Sequence, residues 1–418
     1  MRKLAVLSMH TSPLAQPGTG DGGGMNVYVR ELSSALARAG VACDVFTRAS
    51  SGDEPDSVVV EPGLVVHHVV AGPRRPVDKS SLHLVVGEFA SAVERRMAER
   101  ELLGEAPVDA IHANYWLSGV AGHGLKHRLG LPLVSTFHTL DRVKAEAGPE
   151  EEDPAGAGRR ARAEAEVIGC SDAVLASCSV EVDQLVELYG ADRSRVEVIA
   201  PGVDHAFFSP GDRAQARRAL QLAADGPLLV FVGRIQPLKG AEVALGCLAE
   251  LDSLGVPGSR LVVVGGPSGP HGDREMAALV GLASSLGLSG RVRFVPPQSH
   301  ELLSTYYRAA DCCVVPSRSE SFGLVALEAA ACGVPVVASA VGGLTTLVDE
   351  GRTGYLVERG DARRFAERVA TIWSEPELAG RLGAAAAERA KAYTWSVAAA
   401  RLRRLYGALT ARSLVECG

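Results

Sequence analysis

Several features are scarce or missing in this sequence of 418 residues, and each absence excludes a class of protein. No run of about 18 apolar residues is present to span a bilayer as a helix. Positive charge is not in excess, because 43 Lys and Arg face 49 Asp and Glu, and the net charge of −6 argues against nucleic acid or a membrane as the main partner. Met1-Arg2-Lys3 runs into a short strand without the apolar core and cleavage site of a secretory signal, so we expect a cytoplasmic protein.

Motifs for metal, redox and nucleophilic chemistry are also missing. The eight cysteines are scattered without a C-x-x-C pair, so neither a zinc site nor a disulfide framework is expected, and the thiols are predicted to be reduced and mostly buried. Eight histidines are interpreted as surface or core residues without metal-ligand spacing: His67, His68, His83, His123, His127, His205, His271 and His300. No obvious Ser/His/Asp or Cys/His set is found, and the fingerprint of dinucleotide-binding oxidoreductases is not met.

The length and the order of apolar segments predict an α/β protein of two doubly wound, Rossmann-like domains. A chain of 418 residues is too long for one core. Continuous Val, Leu and Ile runs alternate with amphipathic helical stretches, as in parallel sheets that helices cover on both faces. A break at Pro201-Gly202-Val203-Asp204 indicates a hinge, which gives domains at 1–200 and 201–393.

Strands are predicted in both halves of the chain, and their carboxyl ends are where ligands of such folds bind. We therefore expect a reaction centre in a cleft between the two halves. The predicted strands are 3–8, 42–47, 65–69, 110–112, 133–137, 173–177, 196–200, 228–232, 260–264, 292–295, 311–315 and 334–338.

A glycine-rich turn between the first strand and the helical run 27–39 is the most informative feature present. Three consecutive glycines, Gly22 to Gly24, stand almost directly before that helical run. Backbone N–H groups converge at a helix start, and the missing side chains let an anion approach. The turn predicts a site for a phosphorylated ligand, with a flexible surface loop as the alternative.

Two cations and two carboxylates in the second half indicate sugar-nucleotide chemistry. Arg234 and Lys239 follow the strand 228–232, where they can neutralise a diphosphate leaving group. If a helix begins near Gly323, Glu320 lies in the loop before it and Glu328 lies deeper on it. A carboxylate that accepts two hydroxyl hydrogen bonds suits a sugar or ribose ring. The structural alternative is an Arg234–Glu320 ion pair and a solvated Glu328.

These residues resemble the retaining glycosyltransferases of family 4, whose architecture of two Rossmann-like domains is called GT-B. The motifs that carry the resemblance are Gly-Arg-x-x-Pro-x-Lys-Gly at 233–240 and Glu-x7-Glu at 320–328, and both are complete. The resemblance covers nearly the whole chain. It implies that the last helix, within 394–418, packs back on the first domain.

The N-terminal string from His10 to Asp21, together with Gly23 to Tyr28, is similar to a narrower group within the family. Those members move N-acetylglucosamine from UDP-N-acetylglucosamine to 1D-myo-inositol 3-phosphate, the first step of mycothiol biosynthesis. The acceptor-binding residues implied are His10, Asp21, Gly22, Gly23, Gly24, Met25, Asn26, Lys79, Tyr115, Thr139 and Arg159. The donor-binding residues implied are Gln16, Pro17, Gly24, Arg234, Lys239, Gln298, Glu320 and Glu328, and the catalytic residues are His138, Arg234, Lys239 and Glu320.

The resemblance also implies a mechanism and an assembly. Substitution occurs on the same face of the sugar, the leaving phosphate takes the acceptor's proton, and no protein nucleophile is needed. A Mg²⁺ ion is expected on backbone oxygens of Tyr307, Arg308 and Ala310, although catalysis is not expected to need it. A homodimer is expected as well.

Two other functions stay open. The run from His138 to Lys144 is similar to one in sucrose-phosphate synthase-like enzymes, which use fructose 6-phosphate, and Gln298 stands where relatives can carry Arg. A catalytically silent sugar-nucleotide-binding protein of the same fold is the second alternative. Such a protein would be expected to lose Lys239 or Glu320, and both are present.

Overall fold

Each half of the chain builds its own sheet, and each sheet belongs to a separate α/β unit. The computed structural model describes residues 2–18, 22–148, 158–269 and 272–417. The first unit consists of Met1–Ala15, Gly24–Pro201 and Trp395–Gly418, and the second of Gln16–Gly23 and Gly202–Thr394. Gly22 and Gly23 of the glycine-rich turn therefore group with the second unit, whereas Gly24 belongs to the first.

The sheet of the first unit has eight strands in the order β3-β4-β2-β1-β5-β6-β7-β8. All neighbours pair in parallel except β3 and β4, which are antiparallel. The strands are β1 (Lys3–Leu7), β2 (Ala42–Arg48), β3 (Ser57–Glu61), β4 (Leu64–Val69), β5 (Ala110–Asn114), β6 (Leu133–Thr136), β7 (Ala173–Ala176) and β8 (Val196–Val198). The helices between them are α1 (Gly24–Arg38), α2 (Val86–Leu102), α3 (Trp116–Leu129), α4 (Asp141–Ala147), α5 (Arg159–Cys170) and α6 (Ser179–Tyr189).

The sheet of the second unit has six strands, all parallel, in the order β11-β10-β9-β12-β13-β14. Its strands are β9 (Leu228–Val232), β10 (Arg260–Val264), β11 (Val292–Val295), β12 (Cys312–Val315), β13 (Val336–Ser339) and β14 (Gly354–Val357). Its helices are α7 (Arg213–Ala219), α8 (Ala241–Glu250), α9 (Gly272–Ser285), α10 (His300–Ala309), α11 (Leu324–Ala331), α12 (Leu344–Leu347), α13 (Ala362–Ser374) and α14 (Pro376–Ala390).

Packing on both faces of β1 explains why its sequence is continuously apolar. Leu4 and Val6 join a cluster with residues of α1, whereas Ala5 and Leu7 join another with residues of α2 and α3. Successive side chains of a strand point to opposite faces, so both faces of this strand are covered. The predicted α/β class with two Rossmann-like sheets is confirmed.

The final helix, α15 (Trp395–Leu409), belongs to the first unit and completes its core. Trp395, Leu402 and Tyr406 are buried in the same cluster as the inner side of α1. The Tyr406 hydroxyl hydrogen-bonds Nδ1 of His112 on β5 at 2.7 Å. This contact ties the end of the chain to the centre of the first sheet.

Some elements differ from the expectation. Strands β3 and β14 are not among the predicted strands. No residue of β3 is buried, and Val59 is 73% accessible, so this strand lacks the continuous apolar pattern. Helix α1 begins at Gly24, three residues before the predicted start. None of the helices in the described ranges is long and apolar enough to cross a membrane.

The expectation of eight reduced thiols is wrong for one pair. Cys170, the last residue of α5, is joined to Cys417 as a disulfide across 247 residues of sequence, while the six other cysteines are free and buried. Spacing along the chain could not reveal this pair, because the tail after α15 returns to α5 only in the folded unit.

Candidate functional site

Both sheets reverse their strand order next to their first strand, and the sequence-predicted site residues follow the strands at these positions. In the second sheet the reversal lies between β9 and β12, which precede Arg234 and Glu320 respectively. In the first sheet it lies between β1 and β5, which precede His10 and Tyr115. Open α/β sheets bind ligands in the crevice at the carboxyl ends of such strands.

The loop after β9 is held against the loop after β12. The Arg318 amide donates to the Leu238 carbonyl at 2.8 Å. Gly240 has a φ of 67°, and a Cβ there would lie 2.2 Å from the Pro316 carbonyl oxygen. Only glycine combines this conformation with this close approach. The glycine that ends the Gly-Arg-x-x-Pro-x-Lys-Gly motif therefore fixes the position of Lys239 relative to the second loop.

Lys239 and Glu320 form an ion pair within the second unit. The Lys239 Nζ lies 2.6 Å from Oε2 of Glu320, and the two side chains are 22% and 18% exposed. The Ser317 hydroxyl donates to the same carboxylate oxygen at 3.3 Å. The expected structural alternative paired Glu320 with Arg234, whereas Arg234 Nη1 donates to the Ser268 hydroxyl at 3.2 Å.

Glu328 lies on α11 beyond the loop, as expected, but it is buried and not a solvated helix residue. Gly323 precedes the helix with a φ of 104°, and a Cβ there would lie 2.7 Å from Leu344. The Tyr307 hydroxyl donates to Oε2 of Glu328 at 2.8 Å. Burial raises the pKa of Glu328 to about 7, against the opposing effect of the Tyr307 hydrogen bond. No acidic residue occupies the first turn of α11, so its positive dipole end is not neutralised locally.

The glycine-rich turn packs on the second unit. Gln16 Nε2 donates to the Gln298 carbonyl at 3.0 Å, and Pro17 follows it. A Cβ on Gly23 would lie 3.3 Å from Nε of Arg234, so the backbone of the turn and this guanidinium are neighbours. Asp21, an expected acceptor residue, lies outside the described residues.

The start of α1 carries the remaining residues of this turn. Gly22 is buried, and the helix begins with Gly24 and the half-buried Met25. The buried Asn26 side chain donates to the Thr11 hydroxyl at 2.8 Å and to the Ser12 carbonyl. Asn26 thus ties the first helical turn to the segment after β1. The first turn of α1 contains no acidic residue, which leaves its N-terminal dipole available to an anion.

Tyr115, directly after β5, and His138, two residues after β6, both have a positive φ. Their φ angles are 76° and 62°, and among the described non-glycine residues only Gln221 shares a positive value. Such conformations cost about 1–3 kcal/mol each and cluster at functional sites. Two of the three described non-glycine residues with a positive φ are therefore sequence-predicted site residues.

Two cations and a histidine surround the ring of Tyr115. Lys79 Nζ lies 5.4 Å and the Arg160 guanidinium 4.9 Å from the ring centroid, and the His10 ring lies 4.3 Å away. Burial by itself would raise the pKa of the Tyr115 hydroxyl, but the charges of Arg160 and Lys79, with smaller contributions from Trp116 and Lys144, lower it overall. This arrangement has a net positive charge and can attract an anion.

Arg160 is the residue that sequence reasoning missed. Its Nη2 donates to the carbonyl and the hydroxyl oxygen of Thr139 at 2.7 and 3.0 Å, and its Nε pairs with Glu164 at 2.7 Å. The expected Arg159 is exposed instead, and its Nη1 lies 2.9 Å from Nε2 of His83. Adjacent arginines at the start of a helix point in different directions, and the sequence contains no signal that separates them.

His138 is a neutral imidazole held by Asn114. Its Nε2 lies 2.9 Å from Oδ1 of Asn114, and its ring meets Tyr28 edge-on at 4.8 Å. Burial lowers the pKa of His138 to about 3, with a smaller contribution from His112. Nδ2 of Asn114 is buried without a partner among the described residues. His138 and Asn114 can therefore hydrogen-bond a ligand, but His138 is not protonated at neutral pH and cannot act as a general acid there.

The backbone oxygens expected to hold Mg²⁺ lie at the C-terminal end of α10. Tyr307 and Ala310 are buried, and the Ala310 amide donates to the Tyr307 carbonyl at 3.0 Å. The Arg308 side chain donates to the Ser209 carbonyl at 2.8 Å. Carbonyl oxygens at the negative end of a helix dipole are ligands that suit a hard cation, so the residues fit the group.

Comparisons with known proteins agree with these observations. The family models Glycosyltransferase Family 4 and Glycosyl transferases group 1 match residues 22–207 and 212–389. The D-inositol 3-phosphate glycosyltransferase of Actinosynnema mirum is 47% identical over 414 residues, 97% of each chain. That of Mycolicibacterium smegmatis is 46% identical over 398 residues, 94% of this chain and 88% of the other.

A solved structure extends the similarity to three dimensions. The sucrose-phosphate synthase from Thermosynechococcus elongatus matches with a TM-score of 0.90 and 34% identity, over 98% of this chain and 100% of that chain. The chain belongs to glycosyltransferase family 4 and, within it, to the family of the D-inositol 3-phosphate glycosyltransferases.

Proposed function

We propose that the protein moves N-acetylglucosamine from UDP-N-acetylglucosamine to 1D-myo-inositol 3-phosphate with retention of configuration, the first step of mycothiol biosynthesis. The observation that carries the proposal is 47% identity, over nearly the full length of both chains, to a protein whose name gives this acceptor. The cations around Tyr115 support a phosphorylated acceptor, and those after β9 independently support a nucleotide-sugar donor.

The donor half of the proposal rests on positive charge in the second unit. Arg234, Lys239 and the N-terminus of α11 meet the charge that grows on the diphosphate as its bond to carbon breaks. Lys239 is held by Glu320 before any donor binds, which keeps the ammonium group oriented. Glu320 in turn accepts hydrogen bonds from the transferred sugar, and Glu328 from the ribose.

The acceptor half rests on the cations of the first unit. Lys79, with Arg159 or Arg160, balances a dianionic phosphate, and the hydroxyl groups of Tyr115 and Thr139 donate hydrogen bonds to it. Each charge-assisted hydrogen bond contributes about 1.5–3 kcal/mol, so free inositol is a very poor acceptor under this proposal.

The chemistry of this proposal needs no protein nucleophile. The leaving phosphate oxygen takes the proton of the attacking hydroxyl on the same face of the sugar, while the C–O bond to the diphosphate breaks. His138 stays neutral and positions the donor sugar by hydrogen bonding. The backbone oxygens of Tyr307, Arg308 and Ala310 would hold Mg²⁺, which would act as a structural cation, and no step depends on it. A homodimer and a cytoplasmic location complete the proposal.

A sucrose-phosphate synthase-like activity is the second candidate, and the 34% identity and 0.90 TM-score to such an enzyme favour it. A UDP-release assay decides between them by crossing UDP-N-acetylglucosamine, UDP-glucose and ADP-glucose with inositol 3-phosphate, free inositol and fructose 6-phosphate. The proposal expects rapid release only for UDP-N-acetylglucosamine with inositol 3-phosphate. Preference for fructose 6-phosphate would replace it with the second candidate, and no transfer at all would leave a sugar-nucleotide-binding protein.

A further inference from the structure

Four metal-ligating side chains meet where the C-terminal tail returns to the first unit. His127 Nε2 lies 3.1 Å and His123 Nε2 lies 3.5 Å from Sγ of Cys417. Cys170 at the end of α5 is bonded to Cys417. One nitrogen or sulfur atom from each of the four side chains lies within 4.8 Å of all the others.

The two histidines lie on one face of α3 because they are four residues apart. Their ring centroids are 4.9 Å apart. A histidine pair at this spacing is a known zinc-binding arrangement, so the spacing of His123 and His127 suits a metal ion. A disulfide between Cys170 and Cys417 would need neither histidine, whereas a metal ion would use both.

We propose that His123, His127, Cys170 and Cys417 bind one Zn²⁺ ion as a structural Cys2His2 site. Two neutral imidazole nitrogens and two thiolate sulfurs complete a tetrahedral shell, which leaves no open position for a reaction. The two cysteine thiols lose one proton each on binding, and their two negative charges balance the charge of the ion. Zinc binding requires this pair as two thiols, so a thiol reductant first opens the sulfur–sulfur bond and is itself oxidised to a disulfide.

Asp172, two residues after Cys170, forms contacts that connect the tail to the segments carrying these ligands. Its carboxylate pairs with the buried Lys126 of α3 at 2.9 Å, accepts from the Leu133 amide at 2.8 Å and accepts from the Val415 amide at 2.7 Å. Lys126 also donates to the Cys170 carbonyl at 2.7 Å. The tail therefore reaches α3 and α5 through contacts that do not depend on the sulfur–sulfur bond.

The ion would fasten the tail that follows α15 to two helices of the first unit. Because this role is structural, the proposal does not rest on the proposed transferase activity. An enzyme that lacks zinc keeps its donor and acceptor residues, and transfer can be measured separately from metal content.

The test is the metal content of the full chain, purified with a reductant and without a chelator and then dialysed. Elemental analysis is expected to give about one zinc per chain, and Co²⁺ exchanged into the site should give the strong visible bands of tetrahedral coordination with sulfur ligands. Removal of zinc by a chelator should lower Tm, and Zn²⁺ added back should restore it.

Variants separate a built site from adventitious binding. His127→Ala, at an exposed position, and Cys417→Ser, in the tail, should each lower the bound zinc at least tenfold, while His205→Ala in the second unit should leave it unchanged. Equal zinc in His127→Ala and His205→Ala would overturn the proposal. So would a reduced protein that takes up no zinc and, on removal of the reductant, becomes lighter by two hydrogens, because the pair would then be a disulfide only.

Discussion

The ammonium group of Lys239 lies 2.6 Å from the carboxylate of Glu320, although 81 residues separate them in the sequence. Both side chains are partly exposed, and ion pairs of this kind contribute little to stability, about 0–1 kcal/mol. The pair is therefore better understood as positioning than as a stabilising contact. It places one cation and one carboxylate at the carboxyl ends of adjacent strands β9 and β12.

Replacement of Lys239 tests the role of this cation. Lys239→Ala should lower turnover by about a hundredfold and change UDP affinity much less, since the diphosphate gains charge in the transition state. Steady-state UDP release and calorimetric titration with UDP measure the two effects. Lys391→Ala, which removes an exposed lysine paired with Glu388, is the matched control. Unchanged turnover in Lys239→Ala would contradict the donor assignment.

Replacing the two carboxylates of the Glu-x7-Glu motif should affect different steps of the reaction. Glu328→Gln is expected chiefly to weaken nucleotide binding, whereas Glu320→Gln is expected chiefly to slow transfer, because the transferred sugar ring changes its charge during the reaction and the ribose does not. Donor Kd and single-turnover rates measure the two effects. Equal losses of both quantities in both variants would count against this division of roles.

Replacing each of the two adjacent arginines at the start of α5 distinguishes an effect on acceptor binding from an effect on stability. Arg159→Ala should lower kcat/KM for inositol 3-phosphate by about tenfold to a hundredfold, with donor hydrolysis and Tm almost unchanged, since this side chain is exposed. Arg160→Ala should also lower Tm, because Glu164, 0% exposed, loses its ion-pair partner.

The cost of the Arg160→Ala change should be about 2–3 kcal/mol, below that of a fully unpaired charge. Glu164 keeps the Tyr189 hydroxyl and the Asp141 amide as hydrogen-bond donors. Urea unfolding of both variants gives the comparison. If Arg159→Ala transfers to inositol 3-phosphate at the parent's rate, the resemblance assigns the wrong arginine, and Arg160 remains as the phosphate partner.

Acid should destabilise the first unit through two buried histidines. Burial lowers the pKa of His112 and of His138 to about 3. In the unfolded chain a histidine has a pKa of about 6.5 and binds a proton below that pH, whereas the buried histidines stay neutral. The free energy of unfolding therefore falls as the pH drops from about 6.5 toward 3. The loss between pH 7.5 and 5.5 should be about 1.4 kcal/mol per histidine. Urea denaturation at both pH values measures it, and a smaller pH dependence is expected for His138→Gln.

Raising the pH should act in the opposite sense through Glu328. Burial raises the pKa of this carboxyl to about 7, so the folded chain keeps a proton that the unfolded chain has lost. Its stability contribution is present below the unfolded pKa of about 4.5 and is lost as the pH rises through 7. Glu328→Gln should remove this slope between pH 5 and 8, and an unchanged slope would mean that the carboxyl is ionised in the fold.

Much of the fold could be predicted because strands and helices depend on the apolar pattern of a few neighbouring residues. The strand Leu228–Val232 was predicted to the residue, since a strand buried on both faces is continuously apolar. The edge strand Ser57–Glu61 has alternating exposure and pairs antiparallel, so it carries a weaker pattern. The same local pattern predicts Arg234 and Lys239 at the carboxyl end of this strand, and it predicts Glu320 in the loop before a helix.

The sequence by itself determined the α/β class, the alternation of strands and helices, and the family motifs, because these depend on spacing of a few residues. Only the tertiary structure decided that Arg160 lies over Tyr115 and that Glu328 is buried under a Tyr307 hydroxyl. It also decided that the tail brings Cys417 to His127. These contacts join residues that are tens to hundreds of positions apart, and they depend on the order of the strands in the sheet and on where the tail packs. The local periodicity of the sequence contains no information about which of these side chains come into contact.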